Sequence, residues 1–308
     1  MRQDIGTAGP RWYARGLNNG AIFGATYHGV ARLPRACSYA IGHAGTWLAY
    51  HLMRDGTDGL IANLGVVRPE ASPEELRRLE LLTYRSYARD TIDFIRGLSM
   101  TPEQIAAHVT AYDAGIFDEL LHEGRGIILA GGHFGNWELG GVALRQLRGF
   151  PLAVVGRPEA SAAVGVIRRR MRDSLGIDTI VIGRMLDTAL QIRRVLGQNG
   201  LVAMLMDRHL GRDRVDVTFF GRPTGFLRSP AAIACLSGAP MLPTYLIREP
   251  NGRFAAVCGR PIRVDPARPA DEAIRDATQA FASDLEARIR AHPQFWYQFY
   301  RYWESPRG

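Results

Sequence analysis

Beyond residue 120 the chain alternates short apolar runs with segments of helical length, and this alternation constrains its fold more than any other feature. The runs are 126–130 (GIILA), 151–156 (PLAVVG), 178–183 (DTIVIG) and 201–207 (LVAMLMD). Segments 136–148, 160–175 and 185–197 separate them. A strand covered on both faces reads as a near-continuous apolar run, and strands joined through helices pair in parallel. The pattern predicts an α/β fold, with a mostly parallel central sheet flanked by helices. Further strands are expected at 215–220, 241–247 and 253–258, and a long helix over 271–292.

The first hundred residues read as an N-terminal helical extension. Ser72, Pro73 and Glu75 form a helix start, as do Thr101, Pro102 and Gln104. RDGTDG (54–59) reads as a turn. Residues 1–16 are polar and lack the apolar centre of a signal peptide. Residues 36–53 come nearest to a membrane span, but two histidines, two glycines and small polar residues interrupt them. They fit a weak span, a buried helix or an interfacial one.

The net charge is +8, and every one of the 38 basic residues is Arg. Anionic lipid, nucleic acid and acidic substrates all suit such a surface. Zinc-finger spacing, an RNP-like aromatic segment and a basic tail are all missing, so nucleic acid is not the expected partner. Cys37, Cys235 and Cys258 are odd in number and far apart. They predict neither a disulfide framework nor a structural zinc site, and suit a reducing compartment.

Residues 128–141, ILAGGHFGNWELGG, hold the best candidate site. An apolar strand ends on Gly131 and Gly132, then come His133 and, five residues later, Glu138. Functional groups collect where strand carboxyl ends meet helix N-termini. The glycines would let the backbone turn and a substrate approach closely. A following helix would aim free N–H groups at an oxyanion, phosphate or carboxylate. With His133 in the turn and Glu138 one turn into the helix, the carboxylate could hold one ring nitrogen and leave the other as a base. No third metal ligand stands at motif spacing. The G-x-G-x-x-G spacing of a dinucleotide site is absent. So is a G-x-S-x-G elbow, and no Ser or Cys adjoins His133. A base without a protein nucleophile points to transfer onto an acceptor hydroxyl. A nucleotide-dependent α/β oxidoreductase and a non-catalytic membrane-binding protein are the alternatives.

GGHFGNWELGG resembles the His-x-x-x-x-acid block of the lysophospholipid acyltransferase superfamily. More narrowly, it resembles the bacterial lipid A biosynthesis (lauroyl and myristoyl) acyltransferases and the related phosphatidylinositol mannoside acyltransferases. NLGVVRPEASPEELRRL (63–79), GRPE (156–159), LMDRHLGRDRVDVTFFGRPT (205–224) and HPQFWYQFYRYWE (292–304) are similar to other segments of that family. The resemblance implies an acyl-carrier protein or acyl-CoA donor, a membrane lipid acceptor, no cofactor and no metal. It implies His133 as general base and Glu138 as its orienting acid. Gly132, Asn136, Arg157, Arg172 and Asp207 are the implied substrate-binding residues, with Asp207 orienting an arginine, binding the acceptor or simply capping a turn. Residues 1–100 would be a membrane-associating region and 101–308 the acyltransferase domain, in one continuous unit. The expected place is the cytoplasmic face of the bacterial inner membrane, peripheral or weakly anchored. The aromatic–arginine alternation of FWYQFYRYW fits a membrane interface, or else a C-terminal helix over the sheet edge.

Overall fold

The computed structural model describes residues 29–30, 32–52, 54–110, 114–159, 161–209 and 211–304. The reading of residues 1–16, and the part of 17–53 before residue 29, lie outside the described residues. In chain order the elements are α1 (Arg35–Leu52), α2 (Arg54–Val67), α3 (Pro73–Gly97), α4 (Pro102–His108), β1 (Val109–Thr110), α5 (Ala114–His122), β2 (Ile127–Gly131) and α6 (Trp137–Arg148). They continue as β3 (Leu152–Gly156), α7 (Ala162–Ser174), β4 (Ile177–Val181), α8 (Met185–Gly197), β5 (Leu201–Leu205), β6 (Val215–Phe219) and β7 (Arg222–Phe226). The last are α9 (Ser229–Ser237), β8 (Met241–Arg248), β9 (Phe254–Cys258) and α10 (Ala270–Ala291).

Seven strands form one sheet in the order β1-β9-β8-β2-β5-β3-β4. Every neighbouring pair is parallel except β8 with β9. β2 lies near the middle, between β8 and β5, so both its faces are covered. Its alternate side chains enter different cores. Ile128 and Ala130 join α8, α9 and α10, whereas Ile127 and Leu129 join α3, α4, α5 and α6. The expected sheet is therefore present, with its helices on both faces.

The capping boxes read at Ser72 and Thr101 both form. The 54–59 turn does not: those residues open α2. Gly59, read as a turn glycine, is a packing residue, because a Cβ there would lie 2.8 Å from the backbone of Tyr300. Tertiary contact overrides local propensity here. β6 and β7 are joined through Phe220 and Gly221, both at positive φ, which is the twist that a two-residue hairpin loop demands.

α1 removes one reading of 36–53, the membrane span. Among the described residues no helix is long and apolar enough to cross a membrane. One side of α1 packs on α3. Ala36, Cys37, Ala40, Ile41, Ala44, Gly45, Trp47 and Leu48 are exposed. Both α1 and α3 are tied to β8 by a buried ionic cluster. Arg248 lies 2.6 Å from both Asp90 and Asp93, and Arg35 lies 3.0 Å from Asp93.

The C-terminal segment departs most from expectation. Residues 295–299 and Tyr302 are buried rather than spread at an interface, and they run as irregular chain instead of a covering helix. The reason is hydrogen bonding. Tyr297 N–H donates to the His133 carbonyl at 2.8 Å, and Gly135 N–H donates to the Phe295 carbonyl at 2.9 Å. Buried Asn63 on α2 bonds the segment three times. It donates to the carbonyls of Gln298 (2.9 Å) and Tyr300 (2.7 Å) and accepts from Tyr302 N–H (2.9 Å). Asn63→Ala would leave those backbone groups without partners. The expected loss is roughly 3 kcal/mol, read as a lower urea midpoint at unchanged slope; wild-type stability in this variant would refute the anchoring role.

Candidate active site

His133 stands just past the carboxyl end of β2, where the parallel topology also brings the end of β5. The two glycines before it act differently from the reading above. Neither has a positive φ. A Cβ on Gly131 would come within 2.9 Å of Leu205 Cδ2, and one on Gly132 within 2.8 Å of Leu285 Cδ2. They are close-packing positions under α10 and β5. The sharp turn belongs to Gly135, at φ 66°, where a Cβ would overlap the Leu246 carbonyl.

Asp207 follows β5 and is completely buried. Its Oδ1 lies 2.7 Å from His133 Nδ1, and its Oδ2 accepts the His133 backbone N–H at 3.0 Å. Gln298 Nε2 donates to the same Oδ2 at 2.7 Å, and Tyr302 donates its hydroxyl to the Asp207 carbonyl at 2.5 Å. A carboxylate only accepts, so Nδ1 carries the proton and the neutral ring presents Nε2 as an acceptor. Among the described residues Nε2 has no hydrogen-bond partner. The imidazole keeps 19% of its side-chain surface exposed, and Trp137 meets it edge-on at 5.4 Å.

Burial and the nearby Arg208 charge hold the His133 pKa below its ordinary 6.5, against the opposing pull of Asp207. The ring is therefore neutral, and able to take a proton, at neutral pH. Burial works against ionising Asp207, yet the hydrogen bonds from His133 and the Arg208 charge bring its pKa below 3.8.

The assignment of Glu138 as the acid on His133 is corrected by this geometry. Glu138 lies in the first turn of α6, and its two oxygens accept from Arg172 Nη2 at 2.9 and 3.0 Å. Arg168 stands 3.5 Å from the same carboxylate and 3.2 Å from Glu159. Five residues span a turn and a helix start, and the acid closer to the imidazole in space arrives from β5. Despite burial, Arg172 and then Arg168 keep the Glu138 pKa below 4.5.

Asn136 is also reassigned. Its side-chain oxygen caps α6 at Leu139 N–H and its amide donates to the Asp90 carbonyl, so its polar atoms serve the fold. Arg157 lies exposed after β3 and, among the described residues, bonds none of the other candidates. The structure thus gathers His133 with Asp207 past the ends of β2 and β5, and Glu138 with Arg172 across α6 and α7. Gln298, Tyr302 and Arg208 were not read from the sequence as site residues. The signal for the first two lay in the aromatic C-terminal segment, which reads as surface when its burial is unknown.

Known proteins resemble this chain along most of its length. A family profile described as bacterial lipid A biosynthesis acyltransferase matches residues 20–305. A phosphatidylinositol mannoside acyltransferase of Mycobacterium tuberculosis is 30% identical over 292 residues, covering 91% of this chain and 87% of the relative. One from Mycolicibacterium smegmatis is 28% identical over 291 residues, covering 91% and 90% respectively.

The Glu138–Arg172 pair has a measurable signature. Its depressed pKa means the stabilisation is present at neutral pH and is lost as pH falls through the folded-state value, below 4.5. Arg172→Met should cost roughly 2 kcal/mol near pH 7, because it leaves a largely buried carboxylate with only the longer Arg168 contact. The deficit should shrink in acid. A pH-independent deficit in chemical denaturation would contradict the pairing.

Proposed function

The chain belongs to the bacterial lipid A biosynthesis acyltransferase family, and from that premise we propose that it moves a fatty acyl group from a thioester to a hydroxyl of a membrane glycolipid. The observation that carries this reading is the His133 ring, with Nδ1 committed to buried Asp207 and Nε2 open. Nε2 takes the proton of the acceptor hydroxyl as its oxygen attacks the thioester carbonyl. The new C–O bond forms and the carbonyl becomes an oxyanion. Collapse breaks the C–S bond, and the leaving thiolate recovers the proton from the imidazolium. Asp207 holds the reactive tautomer and offsets the imidazolium charge. This leaves Glu138 a different task, that of holding Arg172 and Arg168 at the helix start, where their charge favours an oxyanion or a phosphate.

The donor is acyl-CoA or acyl-carrier protein. For the acceptor we favour a mannosylated phosphatidylinositol over a lipid A precursor, because the mannoside acyltransferases align along most of both chains. We place the chain at the membrane surface, on the cytoplasmic face, through the exposed side of α1. Eight exposed positions there carry no charged residue, and Trp47 suits the headgroup boundary.

These outcomes are expected. Incubation of the purified protein with each donor and each acceptor should yield an acylated glycolipid by mass spectrometry, and absence of product from every combination would overturn the reading. His133→Ala should abolish transfer without unfolding the chain. Asp207→Asn should lower kcat on the order of 10²-fold or more. In the wild type, kcat/KM should fall on the acid side with a midpoint below 6.5. Glu138→Gln should lower the rate and leave that midpoint in place; a shifted midpoint would restore Glu138 as the partner of His133. Ile41→Glu with Leu48→Glu should weaken co-sedimentation with anionic phospholipid vesicles.

A further inference from the structure

Gln298 is fully buried in the C-terminal segment, and the transfer steps above make no use of it. Its Nε2 donates to Asp207 Oδ2 at 2.7 Å, while its Oε1 accepts from Arg208 Nε at 2.9 Å. A guanidinium only donates and a carboxylate only accepts. The amide can satisfy both neighbours in one orientation alone, with the oxygen toward Arg208 and the nitrogen toward Asp207.

We propose that Gln298 is a positioning residue of the transfer reaction: by holding the second oxygen of Asp207, it sets how strongly that carboxylate draws on His133. The consequence for turnover rests on the acyl-transfer reading; the consequence for the imidazole does not.

Three donors share the Asp207 carboxylate. Oδ2 receives Gln298 and the His133 backbone N–H, and Oδ1 receives the imidazole N–H. Each donor to an ionised acid stabilises its charge and reduces what is left for the others. Removing the Gln298 donor turns more of that charge toward the ring, so His133 becomes more basic. The neighbourhood can tolerate the exchange. Asn63 Nδ2 holds the Gln298 backbone carbonyl, and Tyr297 N–H holds the His133 carbonyl, and neither bond uses the Gln298 side chain. Arg208 keeps its second anchor, the Tyr297 carbonyl at 3.0 Å, when Oε1 is removed. Of the other groups that face the imidazole, Trp137 makes none of these bonds, and Arg208 loses the Oε1 bond but keeps its charge.

The test is an imidazole ¹⁵N NMR titration of His133 in the full chain, in wild type, Gln298→Met and Gln298→Glu, with kcat/KM against pH measured alongside. Gln298→Met keeps the length and loses the donor. It should raise the His133 midpoint by roughly 0.5 to 1 pH unit. Gln298→Glu adds a carboxylate beside Asp207 and should raise it further. The acid limb of kcat/KM should move by the same amounts, with KM for the donor unchanged. An unmoved midpoint in both variants, with lower melting temperatures, would make Gln298 a packing residue and overturn the proposal. Should Gln298→Met fail to fold, Gln298→Glu retains an acceptor for Arg208 and carries the titration. Because the titration needs no turnover, an inactive but correctly shifted protein would count against the acyl-transfer reading and leave the role of Gln298 standing.

Discussion

A carboxylate with no exposed surface must be fully bonded or it unfolds the site around it. Asp207 meets that demand by recruiting from two other places in the chain, the loop past β2 and the C-terminal segment. The location of β2 in mid-sheet, the close glycine packing beneath it and the backbone bonds of residues 295–302 all converge on this one group. Its solvation by protein replaces the solvation by water that it lost. The direction of the imidazole follows from that replacement.

The second ionic pair answers to a different balance. Glu138 and Arg172 are less deeply buried, at 19% and 13% side-chain exposure, and they bridge α6 to α7 across the helix start. Their net effect is to fix positive groups near, and not on, the base. Two carboxylates in one motif-sized stretch of space would compete for the same imidazole if both faced it. Giving each its own cation or donor set separates their tasks.

Much of the fold was legible from the sequence. The strands at β2, β3, β4 and β5 fall within a residue or two of the apolar runs, because strands buried on both faces leave a continuous signature. The capping boxes at Ser72 and Thr101 were equally local and equally readable. His133 was readable because glycines and a strand end mark it. Its partner was not. Asp207 is 74 residues away, and nothing in local spacing says which of two acids meets the ring. Glu138 looked right because it is near in sequence, and space reversed the choice. The C-terminal aromatics were misread for a related reason. Trp and Tyr suit interfaces and cores alike, and the bonds from Asn63 that decide between them span 235 to 239 residues. The opening of α2 escaped notice because its glycine serves contact with Tyr300, which no window of sequence contains.

The reliance of His133 on residues more than 90 positions downstream of Asp207 carries a consequence for biosynthesis. Synthesis proceeds from the N-terminus, so the sheet and its helices emerge before the segment that completes the base. Contacts of such separation form late in folding, since loop closure must precede them. A nascent chain can therefore possess the sheet, the helix start and the histidine while Asp207 still lacks its amide and hydroxyl donors. The base is complete only once residues 298–302 have emerged and docked on Asp207.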